Sequence, residues 1–96
     1  MKTLLVLNLS PDLEEDMVDY LLPQEGVGGF TSYRVRGHGH HADMSLAEQV
    51  SGRRKRQQFE IIIEESEVDN LLAGLVNNVG KDILCWQQAK SKVGRI

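Results

Sequence analysis

Apolar residues along the chain follow two different spacings, and these spacings predict six elements. Short runs of aliphatic, β-branched and aromatic residues are typical of strands, while apolar residues that recur every three or four positions are typical of amphipathic helices. The predicted strands span 3–9, 30–37, 57–65 and 82–89. One helix is predicted between Ser10 and Pro23 and a second between Ser66 and Gly80.

Local signals predict where the two helices begin and end. Ser10 followed by Pro11 is a typical N-cap and first helical position. Ser66 and Asp69 have the spacing of a capping box, and Gly80 is a typical stop after the apolar stripe of the second helix. The sequence therefore predicts two helices of similar length, each running unbroken between its caps.

The order β-α-β-β-α-β predicts an α+β fold of the ferredoxin-like kind in a single domain, 1–96. In this fold an antiparallel four-stranded sheet carries both helices on one face. Large apolar side chains are expected on the other face: Leu4 or Leu5, Ile62 or its neighbours, and Trp86 or Cys85. Such a face marks an association surface, so a homo-oligomer is expected.

The connection between the second and third strands, 37–56, is longer than the 12–15 residues that usually limit loops in compact domains. Loops of this length are usually functional or disordered. Ser45 and Glu48 form another capping box and Gly52 a stop, which predicts a short helix inside the connection. The basic run 53–56 ends it, and it is interpreted either as a solvated approach to the strand or as a grip for an anion.

Charge is unevenly spread in a chain of 96 residues with a formal net charge of −3. That balance argues against nucleic acid as a partner. Positive residues gather in three places, which would form a cationic site if they met: Arg34 and Arg36, the run 53–56, and the tail residues Lys90, Lys92 and Arg95.

The single cysteine, Cys85, excludes an internal disulfide and is interpreted as a small buried apolar residue. The apolar run near the N-terminus is too short for a secretory signal, and no segment has the length of a membrane span. We therefore expect a cytoplasmic protein that is not embedded in a membrane.

Three histidines, His38, His40 and His41, open the connection between glycines. Imidazole suits zinc, copper and nickel, so these residues are candidate ligands for a transition metal. Their spacing matches no established zinc signature, and the alternative is a polar loop that binds no metal. Catalysis has little support, because Cys85 has no general base near it in the sequence.

The stretches GFTSYRVRGHG and SLAEQVSGRRKRQQFE and the closing GRI resemble a PII-like family that is encoded beside heavy-metal efflux pumps of the resistance-nodulation-division type. The resemblance implies a homotrimer whose sheets face one another around the threefold axis. It also implies a ligand cleft between subunits that includes the start of the long connection and the C-terminal tail. The residues expected to bind a ligand there are Arg36, Gly37, Arg53, Lys90 and Arg95.

The resulting expectation is a non-enzymatic binding or signalling module linked to heavy-metal homeostasis, which contacts a partner such as an efflux-pump component through 37–56. Two alternatives are a sensor of adenine nucleotides and a purely structural trimer. The nucleotide alternative is weakened because the segment before the fourth strand lacks most of the glycines that PII proteins use to hold phosphates.

Overall fold

The structure, a computed structural model, describes residues 1–38 and 53–96. Within these ranges four strands form one antiparallel sheet in the order β2-β3-β1-β4. The strands are β1 (Lys2–Leu9), β2 (Phe30–His38), β3 (Arg53–Glu64) and β4 (Leu84–Ala89). A 3₁₀ turn at Pro11–Leu13 leads into helix α1 (Glu14–Leu21), and helices α2 (Glu65–Ala73) and α3 (Leu75–Asn78) follow β3. The predicted α+β, ferredoxin-like arrangement is confirmed.

The hydrophobic core lies between one face of the sheet and the helices. Because successive strand residues point to opposite faces, alternate residues of β1 and β3 are directed toward the helices. Leu5 pairs with Ile61 and Leu7 with Phe59 in the register, and all four are buried. The helices bury their own apolar stripes against them, with Met17, Leu21, Val68, Leu71 and Leu75 in the same cluster.

The connection between β2 and β3 is shorter than predicted at both ends. Gly37 and His38 belong to β2 and pair with Arg54 and Arg53 of β3. The boundary 37–56 is therefore wrong, because the basic run is paired strand backbone rather than a solvated approach. The helix predicted inside the connection, like His40 and His41, lies outside the described residues.

The predicted N-cap Ser10 caps the 3₁₀ turn rather than α1, which begins at Glu14 without a side-chain cap, and the signal predicted for the second helix fails. Ser10 Oγ accepts a hydrogen bond from the amide of Asp12 at 3.4 Å, as an N-cap does. Helix α2 instead begins at Glu65 without any side-chain cap, so the Ser66 capping box is wrong. The amide of Glu65 donates to the carbonyl of Met1 at 2.9 Å, so backbone just before β1 satisfies one of the amides that a helix N-terminus leaves without a partner.

The second predicted helix is interrupted at Gly74, which separates α2 from α3. Tyr20 of α1 reaches this point, and its hydroxyl donates to the carbonyl of Leu71 at 2.8 Å. A Cβ added at Gly74 would overlap the hydroxyl oxygen and lie 3.0 Å from Cζ of Tyr20. The glycine therefore allows α1 to pack closely on the helices that follow β3.

The register decides which apolar residues occupy the face of the sheet opposite the helices, here called the open face. Leu4 pairs with Ile62, and Val6 pairs with Trp86, which is 46% exposed. Leu5 and Cys85 belong to the helix side. Cys85 is exposed, so its interpretation as a buried apolar residue is wrong. Strand β4 lies at the edge of the sheet, and neither of its faces is covered by the described residues.

The contact at Gly74 predicts the sign of a substitution. Gly74→Ala should lower the free energy of unfolding by about 1–3 kcal/mol, because the added methyl group overpacks against Tyr20. A glycine-to-alanine change in an ordinary helix has the opposite sign. Urea unfolding measures the difference. Gly28→Ala is the matched control, since no atom lies within 4 Å of a Cβ there, and it should change stability by no more than about 0.5 kcal/mol. A Gly74→Ala protein as stable as wild type would contradict the packing argument.

Candidate functional site

Cationic side chains concentrate where β2 and β3 lead into the connection between them. The alternation of the strands divides these side chains between the two faces of the sheet. Arg54 and Arg56 lie on the open face, whereas Arg34, Arg36 and Lys55 lie on the helix side. One end of the sheet thus carries positive charge on both faces of a protein whose net charge is negative.

Arg56 is the most enclosed of these cations, with only 3% of its surface exposed. Its Nε donates to Asn8 Oδ1 at 2.7 Å, and one terminal nitrogen donates to the Asn8 carbonyl at 2.7 Å and to the Asp82 carbonyl at 2.9 Å. The other terminal nitrogen donates to Asp82 Oδ2 at 3.2 Å. The guanidinium therefore joins β3, β1 and the segment that precedes β4.

Asp82 holds its carboxylate between two guanidinium groups. Oδ2 accepts from Arg54 as well as from Arg56. The backbone φ of Asp82 is 60°, so this residue adopts the left-handed conformation although it is not a glycine. Aspartate tolerates this conformation better than most residues, yet the conformation still costs energy. The contacts with the two arginines offset that cost.

The charges of the arginines also set the protonation of Asp82. Partial burial alone would raise the pKa of the carboxyl group. The hydrogen bond from Arg54 and the positive charges of Arg54 and Arg56 outweigh this effect, so the pKa of Asp82 lies below its ordinary value. The carboxylate is therefore fully ionised at neutral pH and competes well for the two guanidinium groups.

A chain of hydrogen bonds continues from Arg56 across the open face. Asn8 Nδ2 donates to Gln58 Oε1 at 3.1 Å, and Gln58 Nε2 donates to the hydroxyl of Tyr33 at 2.9 Å. That hydroxyl donates to Glu60 Oε2 at 3.0 Å, a bond that raises the pKa of Tyr33 above its ordinary value. Asn8 is therefore fixed from both sides, and it in turn fixes the orientation of Arg56.

The helix side of the same end has its own hydrogen bonds. Gln57 is only 2% exposed; it donates to Glu14 Oε2 at 2.9 Å and accepts from Arg34 Nε at 2.9 Å.

Beside Arg34 lies an open groove lined by Arg34, Val35, Arg36 and Lys55. Arg36 and Lys55 are directly opposite each other in the register, a placement of like charges that disfavours strand pairing. Such a groove suits an anion.

The structure brings only part of the predicted site together. Strands β2 and β3 form a hairpin, and the end of it that leads into the connection is here called the hairpin end. At this end lie Arg36, Gly37 and Arg53, beside the exposed His38. Lys90 lies at the opposite end of the sheet, where its amide donates to the carbonyl of Lys2.

Arg95 lies in the exposed tail that follows β4. Because Lys90 lies at the other end of the sheet, Lys90 and the hairpin end do not form a single cationic site within one chain. In the part of the chain that the structure describes, no group of three or more His, Cys, Asp or Glu side chains is arranged to hold a metal ion.

Sequence reasoning missed Asn8 and Asp82 and left Arg56 among the ordinary charges of the basic run. A signal for Arg56 was available in the alternation of β3. Its position has the opposite parity to the apolar residues Phe59 and Ile61, which places it on the face of the sheet away from the core. Nothing in the local sequence indicated the left-handed backbone of Asp82. Its partnership with the two arginines depends on the pairing of β1 with β3 and β4.

Comparison with known proteins assigns the chain to a family. The whole chain, residues 1–96, matches the family described as "Protein of unknown function (DUF3240)", and the protein belongs to that family. A DUF3240 family protein from Shewanella baltica OS155, known from a crystal structure, is 24% identical and superposes with a TM-score of 0.81 over 99% of this chain and 96% of that chain. At that identity the likeness is evidence for the fold.

No curated protein matched the sequence. Among the described residues, none of the helices is long and apolar enough to cross a membrane.

The contacts of Arg56 predict a large loss of stability on its removal. Arg56→Met should lower the free energy of unfolding by roughly 2–4 kcal/mol, because Asn8 and Asp82 lose their partners in a partly buried setting. The measurement is urea unfolding. Arg36→Met removes an exposed arginine from the paired strand and should change stability by no more than about 0.5 kcal/mol. Equal effects of the two substitutions would show that the network on the open face contributes little.

The low pKa of Asp82 predicts how its contribution changes with pH. Since the folded-state pKa lies below the unfolded value of about 3.9, the stabilisation is present above that value and disappears as the pH falls through the folded-state pKa. The side chain is 47% exposed, so solvent screening should keep the effect below about 1 kcal/mol.

We therefore expect Asp82→Asn to be less stable than wild type at neutral pH and equally stable in acid, as measured by urea unfolding over a pH series. In an Arg54→Gln background, the stability difference caused by Asp82→Asn should depend less on pH. A difference between wild type and Asp82→Asn that does not change with pH would contradict this account.

Proposed function

We propose that this protein is a non-enzymatic, homotrimeric, PII-like module that binds a small ligand and regulates a partner in heavy-metal handling. The order of the strands in the sheet and the resemblance of GFTSYRVRGHG to the PII-like family support the proposal. The neighbouring exposed apolar residues of the open face support self-association, because monomeric proteins rarely expose a large contiguous apolar patch. Trp86 and Leu84, which are 46% and 53% exposed, lie on that face.

Trimerisation would also account for the separation of the predicted site residues. Gly37 and Lys90 lie at opposite ends of one sheet. In an assembly whose sheets face one another, the hairpin end of one subunit can approach the tail of its neighbour. The ligand cleft is then shared between subunits, and ligand binding is coupled to assembly.

A transition metal is the first candidate ligand. The observation that carries this proposal is the position of His38, which is exposed at the end of β2 and is followed in the sequence by His40 and His41. Neutral imidazoles are good ligands for zinc, copper and nickel. A metal held there would change the surface that the connection presents to a partner, such as a component of an efflux pump.

Native mass spectrometry tests the assembly and the metal together. We expect a trimer that gains up to three zinc, copper or nickel ions, and we expect the metal to be lost when His38, His40 and His41 are all changed to alanine. Cys85→Ser, which removes an exposed soft ligand elsewhere, should bind metal as wild type does. Metal binding that survives the triple substitution would contradict the histidine site, and a monomer would contradict the PII-like assembly.

An adenine nucleotide is the second candidate ligand, and the groove lined by Arg34, Arg36 and Lys55 favours it. Its phosphates would meet arginine donors at the hairpin end, and the tail residues of a neighbouring subunit would complete the site. In the same spectra ATP would then add to the trimer, and Lys90→Glu with Arg95→Glu would remove the adduct. The triple histidine variant should retain ATP, which distinguishes this candidate from the metal.

A further inference from the structure

The Arg54–Arg56 pair on the open face has the chemistry of an oxyanion site. Two guanidinium groups converge on one carboxylate oxygen, Oδ2 of Asp82. A phosphate oxygen accepts the same charge-assisted hydrogen bonds as a carboxylate oxygen, and the planar donors of arginine suit both. The Asp82 side chain is 47% exposed, so this position can be reached from solvent.

We propose that Arg54 and Arg56 form a binding site for a phosphate group, that the Asp82 carboxylate fills this site in the free protein, and that an entering phosphate displaces it. Asp82 thus acts as an internal competitor. The ligand class is a phosphate dianion or diphosphate, either free or carried on a larger molecule. The site faces away from the groove of Arg34, Arg36 and Lys55, which is on the helix side of the same strands.

Arg56 remains in position when the carboxylate leaves. Arg56 keeps its bonds to the side chain and the carbonyl of Asn8, at 2.7 Å each. Asn8 is in turn held by Gln58, whose amide is fixed by Tyr33. A binding group that is held by a second set of contacts binds without reorganisation, so the Arg56 guanidinium is ready for an external anion.

The backbone of Asp82 supplies the response to binding. Its φ of 60° is tolerated because the carboxylate and the carbonyl are both held by arginine. Once a phosphate takes the place of the carboxylate, the segment 80–83 can relax from the left-handed conformation. That segment connects α3 to β4, the exposed edge strand, so binding on the open face changes the start of β4.

The alternative is that Asp82 only ties the segment before β4 to the sheet. Both interpretations predict some loss of stability in Asp82→Asn. They differ in anion binding: an internal competitor must strengthen the binding of an external anion when it is removed, whereas a purely structural tie must not. Asparagine also tolerates the left-handed region, so the substitution removes the charge and leaves the backbone conformation available.

Isothermal titration calorimetry with inorganic pyrophosphate on the full chain tests the proposal. We expect Asp82→Asn to bind pyrophosphate about tenfold more tightly than wild type, the change expected when a charge-assisted competitor is lost. Arg54→Gln should bind at least about tenfold more weakly. Asp69→Asn on α2 is the matched control for loss of one negative charge. Lys2→Gln, at the opposite end of the sheet from Arg54, is the control for loss of one positive charge. Both should behave as wild type.

Pyrophosphate affinity that is unchanged or lower in Asp82→Asn would overturn the proposal, as would affinity that is unchanged in Arg54→Gln. A second measurement avoids substitutions: in amide NMR spectra of the wild type, pyrophosphate should shift the signals of residues 80–83 most strongly. Shifts confined to other segments would also overturn it.

Titration with ADP identifies the source of the phosphate. Binding that weakens in Arg54→Gln in the same way as for pyrophosphate supports a phosphate carried on a nucleotide. An ADP affinity that is unchanged in Arg54→Gln contradicts nucleotide binding at this site. The three histidines are intact in all these variants, so metal binding by the same proteins separates a failure of this inference from a failure of the metal proposal.

Discussion

The buried guanidinium of Arg56 is the interaction on which the open face depends. A charge that is 3% exposed is stable only when its donors are satisfied, and the acceptors come from β1 and from the segment before β4. The group therefore fixes three parts of the chain that are distant in sequence. Asp82 is held to the sheet through it, and the polar chain from Asn8 to Tyr33 ends on it.

This arrangement gives the two halves of the open face different characters. At the hairpin end, polar groups satisfy one another: in the part of the chain that the structure describes, no buried side-chain nitrogen or oxygen lacks a partner. Toward β4 the same face carries Leu84 and Trp86, whose apolar surface is exposed. A polar half and an exposed apolar half therefore lie side by side on one face of the sheet.

The sequence predicted the fold well because periodicity and order are local properties. The apolar run of β1, the alternation in β3 and the helical spacing from Val68 to Val79 were enough to predict a ferredoxin-like sheet. The failures involve long-range contacts. The sequence alone did not show that the pairing of β3 with β1 places Arg56 against Asn8. It also did not show that Tyr20 packs against Gly74, where the second helix is interrupted. The candidate site was predicted at the hairpin end but not at Asp82, whose role requires the sheet to be assembled.

The packing of Tyr20 on Gly74 limits how these two positions can vary among relatives. A larger residue at 74 crowds the tyrosine at 20 and lowers stability, because the tyrosine hydroxyl reaches its acceptor, the carbonyl of Leu71, through the space that the glycine leaves. The two positions are therefore expected to change together among relatives, as a pair. An aromatic residue at 20 with glycine at 74 would mark one lineage of helix packing, and a small residue at 20 with alanine or serine at 74 would mark another, with a straighter second helix.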